Sequence, residues 1–353
     1  MHSRHRALFF ATIVLLVAPT ASGAEPSRLG PPNADGPVTV SVGLFVSDVN
    51  EVDERRETFE FEGILTLKWQ DPRQAFDPGE VGVGERTYQG NYQFSEIFDG
   101  WWPQLILSNK SGIFDSQAVL LRIAPNGAAT LVSEFHAVAE IPMKLRRFPF
   151  DHQDFHAVFE VLGLGQNRVL LVPDPATTSG VDQRLNVPQW EFRDLRVAAG
   201  EYHPVYEDGH DGALSRIIFT LEMARQPAHV LLVVVFPLTL LVALTFAVFW
   251  MDQSSLGDRM DISFLGILTV VAFQIVVNQS MPGIAYFTLM SGFLYSTYLI
   301  LAVCVIMNLV VSKLDESGRR KLGDRVDRAC RWAVPAGFVG VNALSAGYFL
   351  TFY

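Results

Sequence analysis

An all-β, immunoglobulin-like extracellular sandwich followed by an all-α bundle of four membrane-spanning helices, α+β overall, is the fold class the sequence predicts. Three observations predict it. Residues 37–224 alternate apolar and polar types with a period of two and hold no long amphipathic helix. At Arg225 the composition changes abruptly, and four long apolar stretches follow. Hydrophobic types make up 49% of the 353 residues and charged types 18%, with a mean hydropathy of +0.23. A soluble chain carries more charge, about a quarter of its residues, so a membrane protein with a sizeable water-exposed part is expected.

The chain opens with Arg4 and Arg6, an apolar run from Ala7 to Ala18, and small residues at Ala21, Gly23 and Ala24. This is the layout of a secretory signal over residues 1–23, the run being too short for an ordinary span. An uncleaved anchor is the alternative. Residues 24–36, rich in Pro and Gly, are expected to be a flexible leader. The first strand begins at Val38, with Val40, Val42, Leu44 and Val46 on one face; Phe59, Phe61, Leu65, Leu67 and Trp69 repeat the pattern. Asp48 to Arg56 reads as a charged loop between them. Ala118–Ile123 and Ala129–Val138 flank Pro125-Asn126-Gly127, and Asn-Gly between apolar runs signals a hairpin. Phe155–Val161, Val169–Val172, Trp190–Ala199 and Ser215–Met223 complete the sandwich.

Residues 225–353 form the membrane domain, with spans expected at 228–251, 259–279, 285–311 and 330–352, each near the ~20 residues that a bilayer core requires. Lys313, Arg319, Arg320, Lys321, Arg325 and Arg328 crowd the linker between spans three and four, and the linker between spans two and three carries no Lys or Arg. The former is therefore cytoplasmic. The chain is expected in the cell membrane as a multi-pass protein, with the β domain and the C-terminus extracellular or periplasmic.

The second span carries the most information. Asp258, Asp261, Leu265, Leu268, Ala272, Ile275 and Gln279 fall on one helical stripe, acidic at one end, apolar in the middle and polar at the other. A helix facing only lipid has no use for carboxylates. A ring of such helices around water would use all three zones, the acids selecting cations and the apolar zone closing by dewetting. A helix-packing seam with its acids at the membrane surface is the other reading.

Net charge excludes one partner class. Residues 24–224 hold 30 acidic and 16 basic residues, a net of −14, so nucleic acid is not expected. Cys304 and Cys330 both lie in the membrane half, so the β domain has no disulfide and relies on its core. No nucleophile–base arrangement, metal-protease motif or phosphate loop is present, so no enzyme, cofactor or metal site is expected. A transporter would show internal repeats and more spans.

Several motifs occur in order. They are Trp69-Gln70-Asp71, Trp101-Trp102-Pro103, Phe148-Pro149-Phe150-Asp151-His152-Gln153, Arg225-Gln226-Pro227 and Gln279-Ser280-Met281-Pro282. With the topology above, they resemble the pentameric ligand-gated ion channels over about residues 37–353. The missing cysteines around Phe148–Asp151 and the short cytoplasmic linker resemble the family's prokaryotic branch. Leu268-Thr269-Val270-Val271-Ala272 and Arg328-Ala329-Cys330-Arg331 are similar to its bacterial amine-gated member.

The resemblance implies a homopentamer with Leu268 at the middle of the pore and Leu265, Ala272 and Ile275 flanking it. Asp258 and Asp261 would form two carboxylate rings at the inner mouth. Arg259 lies about 100° off Asp258 and hence off the lumen; acids capping the helix and pairing with Arg259 are the alternative. Monovalent cations are the expected permeant ions, membrane lipids the surroundings, and an unidentified small extracellular agonist the opener. A non-conducting, membrane-anchored sensory receptor is the competing function.

For gating, the resemblance implies that Phe148, Pro149, Phe150 and Asp151 rest on the linker near Pro282, Gly283 and Ile284, with Arg225 paired to Asp151 or to an acid among Asp48, Glu51, Asp53 and Glu54. The implied agonist site gathers Glu160, Leu162, Tyr202, Tyr206 and Leu214. Leu162 and Leu214 stand where the amine-gated member has phenylalanines, and Ile106 where it has an acid, so a small amine does not match. His203 and His210, beside Glu207, Asp208 and Asp211, would suit a divalent cation or a proton sensor, or form a plain solvated loop. His136, His152 and His156 read as structural.

Overall fold

The computed structural model describes residues 30–33, 36–175, 179–203, 212–251, 256–279 and 283–352. Its β domain consists of β1 (Val38–Asp53), β2 (Thr58–Gln70), β3 (Arg86–Gln89), β4 (Leu105–Leu107), β5 (Lys110–Ile123), β6 (Ala128–Glu140), β7 (His152–Val161), β8 (Val169–Pro173), β9 (Gly180–Val181), β10 (Trp190–Tyr202) and β11 (Leu214–Arg225). One sheet runs β3-β5-β6-β2-β1-β8, with β9 also beside β1; the other runs β10-β11-β7-β4. The inward residues foreseen from alternation are buried: Val40, Val42, Leu44, Val46, Phe59 and Phe61 are fully enclosed. Rings close the two sheets on each other, with Phe59 of β2 5.1 Å from Phe155 of β7 and Phe135 of β6 5.9 Å from Phe159 of β7. Such contacts add to area burial, about 0.5–1.5 kcal/mol per pair.

The Asn-Gly hairpin forms between β5 and β6. Gly127 sits at φ +80, its amide donating to the Ala124 carbonyl at 2.9 Å. A Cβ there would lie 2.3 Å from the Asp71 carbonyl oxygen, so only glycine fits. Asp71 is itself fully buried, accepting from the Arg73 amide at 3.0 Å and from Arg73 Nε at 2.9 Å. The Trp69-Gln70-Asp71 motif thus locks a corner of the sandwich.

The expected loop Asp48–Arg56 is corrected: β1 continues to Asp53, and only residues 54–57 turn, with Glu57 at φ 54. Irregularities between Val46 and Asp48 and between Val49 and Glu51 shift the phase of alternation, which hides the continuing strand. Strands β3, β4 and β9 escaped the sequence reading because they span four, three and two residues.

Among the described residues, four helices are long and apolar enough to cross a membrane: α1 (Ala228–Trp250), α2 (Leu256–Gln279), α3 (Leu289–Glu316) and α4 (Arg320–Phe352). In α1 a π turn over Leu231–Val235 precedes Pro237. Proline has no amide proton and clashes with the carbonyl four residues back, and the widened turn accommodates it. Thr288 caps α3, accepting from the Ser291 amide at 3.0 Å, so this helix starts at Leu289 and not at 285. The largest correction is α4, which begins at Arg320, ten residues before the expected 330. Charge marked that stretch as a loop, yet Lys, Arg and Leu propagate helices well. Between α3 and α4 only residues 317–319 turn, around Gly318 at φ +70.

Candidate functional site: the domain junction and the α2 stripe

Arg225 ends β11, where the sandwich becomes the membrane bundle. Its amide donates to the Asp151 carbonyl at 3.1 Å. Its guanidinium holds the Asp151 carboxylate with two bonds, Nε to Oδ1 at 2.8 Å and Nη2 to Oδ2 at 3.3 Å, and Nη1 bonds Glu54 Oε1. The guanidinium carbon lies 4.2 Å from the Trp190 ring centre and 4.8 Å from that of Phe148. The side chain is 1% exposed. Burial raises the Glu54 pKa above its ordinary value, against the opposing pull of Arg225. Of the acids foreseen as partners, Asp151 and Glu54 meet Arg225 together.

The segment from Met143 to Gln153 is braced from within. Gln153 Nε2 donates to Asp151 Oδ2 at 2.6 Å and to the Lys144 carbonyl at 3.1 Å, while Gln153 Oε1 accepts from the Lys144 amide at 3.0 Å. The Phe148–Pro149 peptide is cis, Phe148 is buried and Phe150 is exposed. The same segment grips the top of α3. Tyr286 hydroxyl accepts from the Leu145 amide and donates to the Met143 carbonyl, both at 3.1 Å, and the Arg146 carbonyl accepts from the Leu289 amide at 2.9 Å. Arg146 also lies 5.0 Å over the Tyr286 ring. Pro282, expected at this contact, lies outside the described residues. A cavity of about 560 Å³ separates the β1–β2 turn from α1 and α2, with Glu54 and Arg225 above and Val230, Val234 and Val277 below.

The α2 stripe falls where the other helices of the chain leave α2 uncovered. Asp258, Asp261, Leu265, Leu268, Ala272, Ile275 and Gln279 are all exposed, Leu265 at 63%, Leu268 at 66% and Ile275 at 53%. The opposite face, with Arg259, Ser263, Gly266, Val270 and Val277, is buried. The polar residues inside the span have partners. Ser263 Oγ donates to the Arg259 carbonyl at 2.9 Å, Thr269 Oγ1 to the Leu265 carbonyl at 2.9 Å, and Gln274 Oε1 accepts from the Tyr298 hydroxyl at 2.7 Å. Arg259 pairs with neither neighbouring acid. Its Nη2 reaches Asp327 Oδ1 of α4 at 3.1 Å and the Met251 carbonyl at 3.0 Å, and the side chain is 1% exposed.

Of the residues expected to receive an agonist, Glu160 and Tyr202 meet at one guanidinium, that of Arg216, and Tyr202 stands across the β10–β11 ladder from Leu214. Glu160 on β7 is buried, and Arg216 Nε on β11 lies 3.4 Å from its carboxylate. The same guanidinium covers the Tyr202 ring at 4.3 Å. Leu162 is exposed at 54%, whereas Leu214 is buried at the start of β11 and presents little surface. Tyr206, Glu207, Asp208, His210 and Asp211 lie outside the described residues. His136 Nε2 meets Glu60 at 2.8 Å and His156 Nδ1 meets Thr220 Oγ1 at 3.0 Å, so both are satisfied within the sheets. His152 is exposed.

Two family models match this architecture at the junction where it divides. Residues 26–227 match the neurotransmitter-gated ion-channel ligand-binding domain, and residues 234–321 match the neurotransmitter-gated ion-channel transmembrane region. The chain belongs to the neurotransmitter-gated ion-channel family. It is 25% identical over 339 residues to a proton-gated ion channel of Gloeobacter violaceus, covering 96% of this chain and 91% of that one. It is 27% identical over 293 residues to an acetylcholine receptor β subunit of Xenopus laevis, covering 79% and 57%. It is 23% identical over 266 residues to a glutamate-gated chloride channel of Drosophila melanogaster, covering 71% and 54%.

As a member of the neurotransmitter-gated ion-channel family, the chain is a multi-pass membrane protein. Its relatives include a proton-gated and a chloride channel, so ion and agonist have to be argued from this chain's own side chains. Sequence reading missed three residues. Tyr286 bridges the sandwich and α3; a hydroxylated aromatic in a short apolar linker was its only signal. Trp190 roofs Arg225, its partner across the β10–β11 ladder. Asp327, an acid within a run of Arg and Lys, was hidden by its neighbours' charge.

Proposed function

We propose that the chain assembles as a homopentameric, cation-selective channel, opened by a small ligand, ion or pH change acting on an extracellular or periplasmic sandwich. The observation that carries this reading is the exposed stripe of α2. It passes from two carboxylates through Leu265, Leu268, Ala272 and Ile275 to Gln279, on a face that no described helix of the same chain covers. In a symmetric ring that face meets water. Repeated Asp258 and Asp261 then attract cations and exclude anions, and repeated Leu268 sets an apolar constriction. The membrane lipids take the outer faces, and the basic start of α4 lies on the cytoplasmic side.

Opening passes through the junction. Movement of the sandwich reaches the pore helix and α3 through Phe148, Pro149, Phe150, Asp151 and Arg225, with Tyr286 as the direct tie and Pro282, three positions after Gln279 in sequence, as a further coupling residue. The agonist site lies between subunits near Glu160, Leu162, Tyr202 and Tyr206, with Leu214 behind. Glu160 is already neutralised by Arg216, and the Tyr202 face is already taken by a guanidinium. An amine would compete with a cation of the chain itself.

The purified chain in a planar bilayer under a KCl gradient tests this. Current elicited by protons, divalent ions or amines is expected to reverse near the potassium potential, and Asp258→Ala and Asp261→Ala are expected to move it toward zero. Reversal near the chloride potential overturns cation selectivity. Silence under every opener, repeated with Leu268→Ser, favours a non-conducting sensory receptor.

A further inference from the structure

Arg259 places a permanent positive charge between the two acids of α2, one residue from Asp258 and two from Asp261. Charges that share water interact over ~8 Å at physiological salt. A guanidinium turned to the same water as these carboxylates would offset about half of the charge that each subunit contributes there. It turns the other way, and what holds it is on a different helix. Asp327 Oδ1 of α4 accepts from Arg259 Nη2 at 3.1 Å, and both side chains are nearly inaccessible, 1% and 3% exposed. The other contact of Nη2 is the Met251 carbonyl at 3.0 Å. Arg259 Nε is buried with no hydrogen-bond partner among the described residues. Among the described residues, Asp327 is the carboxylate that meets Arg259. Arg331 also faces Asp327, Nη2 to Oδ2 at 3.6 Å, but it is 35% exposed and its Nε is committed to the Phe249 carbonyl at 2.8 Å. Water screens the charge of Arg331 as it cannot screen that of Arg259.

We propose that Asp327 is a selectivity-setting positioning residue: from the helix farthest in sequence from the stripe, it anchors the Arg259 guanidinium behind α2, so that Asp258 and Asp261 act on permeating ions without a neighbouring cation. The proposal rests on the cation-pore reading above. A buried guanidinium deprived of its carboxylate carries a large uncompensated desolvation cost. A side chain of that length would relieve the cost by swinging toward water, on the side of α2 where Asp258 and Asp261 are exposed.

The test uses the assembled full-length chain and two readouts. In bilayers under a KCl gradient, Asp327→Asn is expected to lower the potassium-to-chloride permeability ratio by about tenfold, the scale expected of unit charges near a narrow aqueous path. Asp327→Glu is expected to restore the ratio. The neutral pair Arg259→Met with Asp327→Leu is expected to keep it, because no cation is left to release. The second readout needs no current: phenylglyoxal labelling of arginines, read by mass spectrometry. Arg259 is expected to be protected in the parent chain and in Asp327→Glu, and labelled in Asp327→Asn. An unchanged ratio in Asp327→Asn, an unlabelled Arg259 in that variant, or a neutral pair with lowered selectivity overturns the proposal. If the parent chain itself reverses near chloride, the cation reading falls, and labelling still decides whether Asp327 holds Arg259.

Discussion

Two buried arginines stand at opposite ends of the membrane bundle, and they are held in different ways. Arg225, at the sandwich, is gripped by two carboxylates and lies against two aromatic rings. Arg259, at the far end, has among the described residues one carboxylate, one carbonyl and a buried Nε without an acceptor. Each charge is shut away from water, which is tolerable only with compensation. At the sandwich junction the compensation is redundant, so one partner can loosen while another holds. That suits a contact through which motion passes. At the far end, among the described residues, a single carboxylate holds the charge.

The difference is sharpest in a paired substitution. Asp327→Asn removes the one carboxylate that meets Arg259 among the described residues and is expected to cost about 3–5 kcal/mol, the range for breaking a buried pair from one side. Asp151→Asn leaves Glu54 and both rings around Arg225 and is expected to cost less, about 1–3 kcal/mol. Thermal unfolding of the two variants in detergent, followed by intrinsic tryptophan fluorescence, compares them directly. Equal losses would show that Glu54 contributes nothing once Asp151 is gone, and the contrast between the two ends would fail.

The hydroxyl of Tyr286 belongs to the junction but has no understudy. Tyr286→Phe leaves the Leu145 amide and the Met143 carbonyl without their partner, and a loss of about 1 kcal/mol is expected. If the segment transmits motion through this tie, the same variant needs more opener for half-maximal current while keeping its reversal potential. A shifted reversal potential instead would place Tyr286 in ion selection and not in coupling.

How far these features were legible depends on the range of the physics behind them. The α2 stripe follows from a local period, and all seven residues fall on one exposed face. The buried faces of β1 and β2 follow from alternation in the same way. Once irregular pairing shifts that phase after Val46, the strand stops looking like one. The partners of Arg225 lie 74 and 171 positions away, so sequence could propose a set of acids but not choose two of them. Asp327 and Arg259 are 68 positions apart on different helices, and a run of basic residues around Asp327 suggests solvent, not burial. Glu160 looked available to a ligand because nothing in sequence shows Arg216 directly across the β7–β11 ladder.

The smallest expected effect concerns protons at the redundant end. Burial raises the folded-state pKa of Glu54 above its ordinary value of 4.5, with the charges of Asp151 and Asp53 adding to the rise and Arg225 opposing it. The folded chain therefore binds this proton more tightly than the unfolded chain does. The stability that the protonated form contributes is fully present below about pH 4.5 and is lost as pH rises through the higher folded value. Glu54→Gln cannot titrate. Measured against that variant, the parent chain is expected to lose melting temperature as pH climbs from 4.5 toward neutrality. A parent chain that instead gains on Glu54→Gln over this window would mean that Arg225 outweighs burial and holds Glu54 ionised. The two carboxylates at the junction would then be equal anchors, and the slack inferred there would disappear.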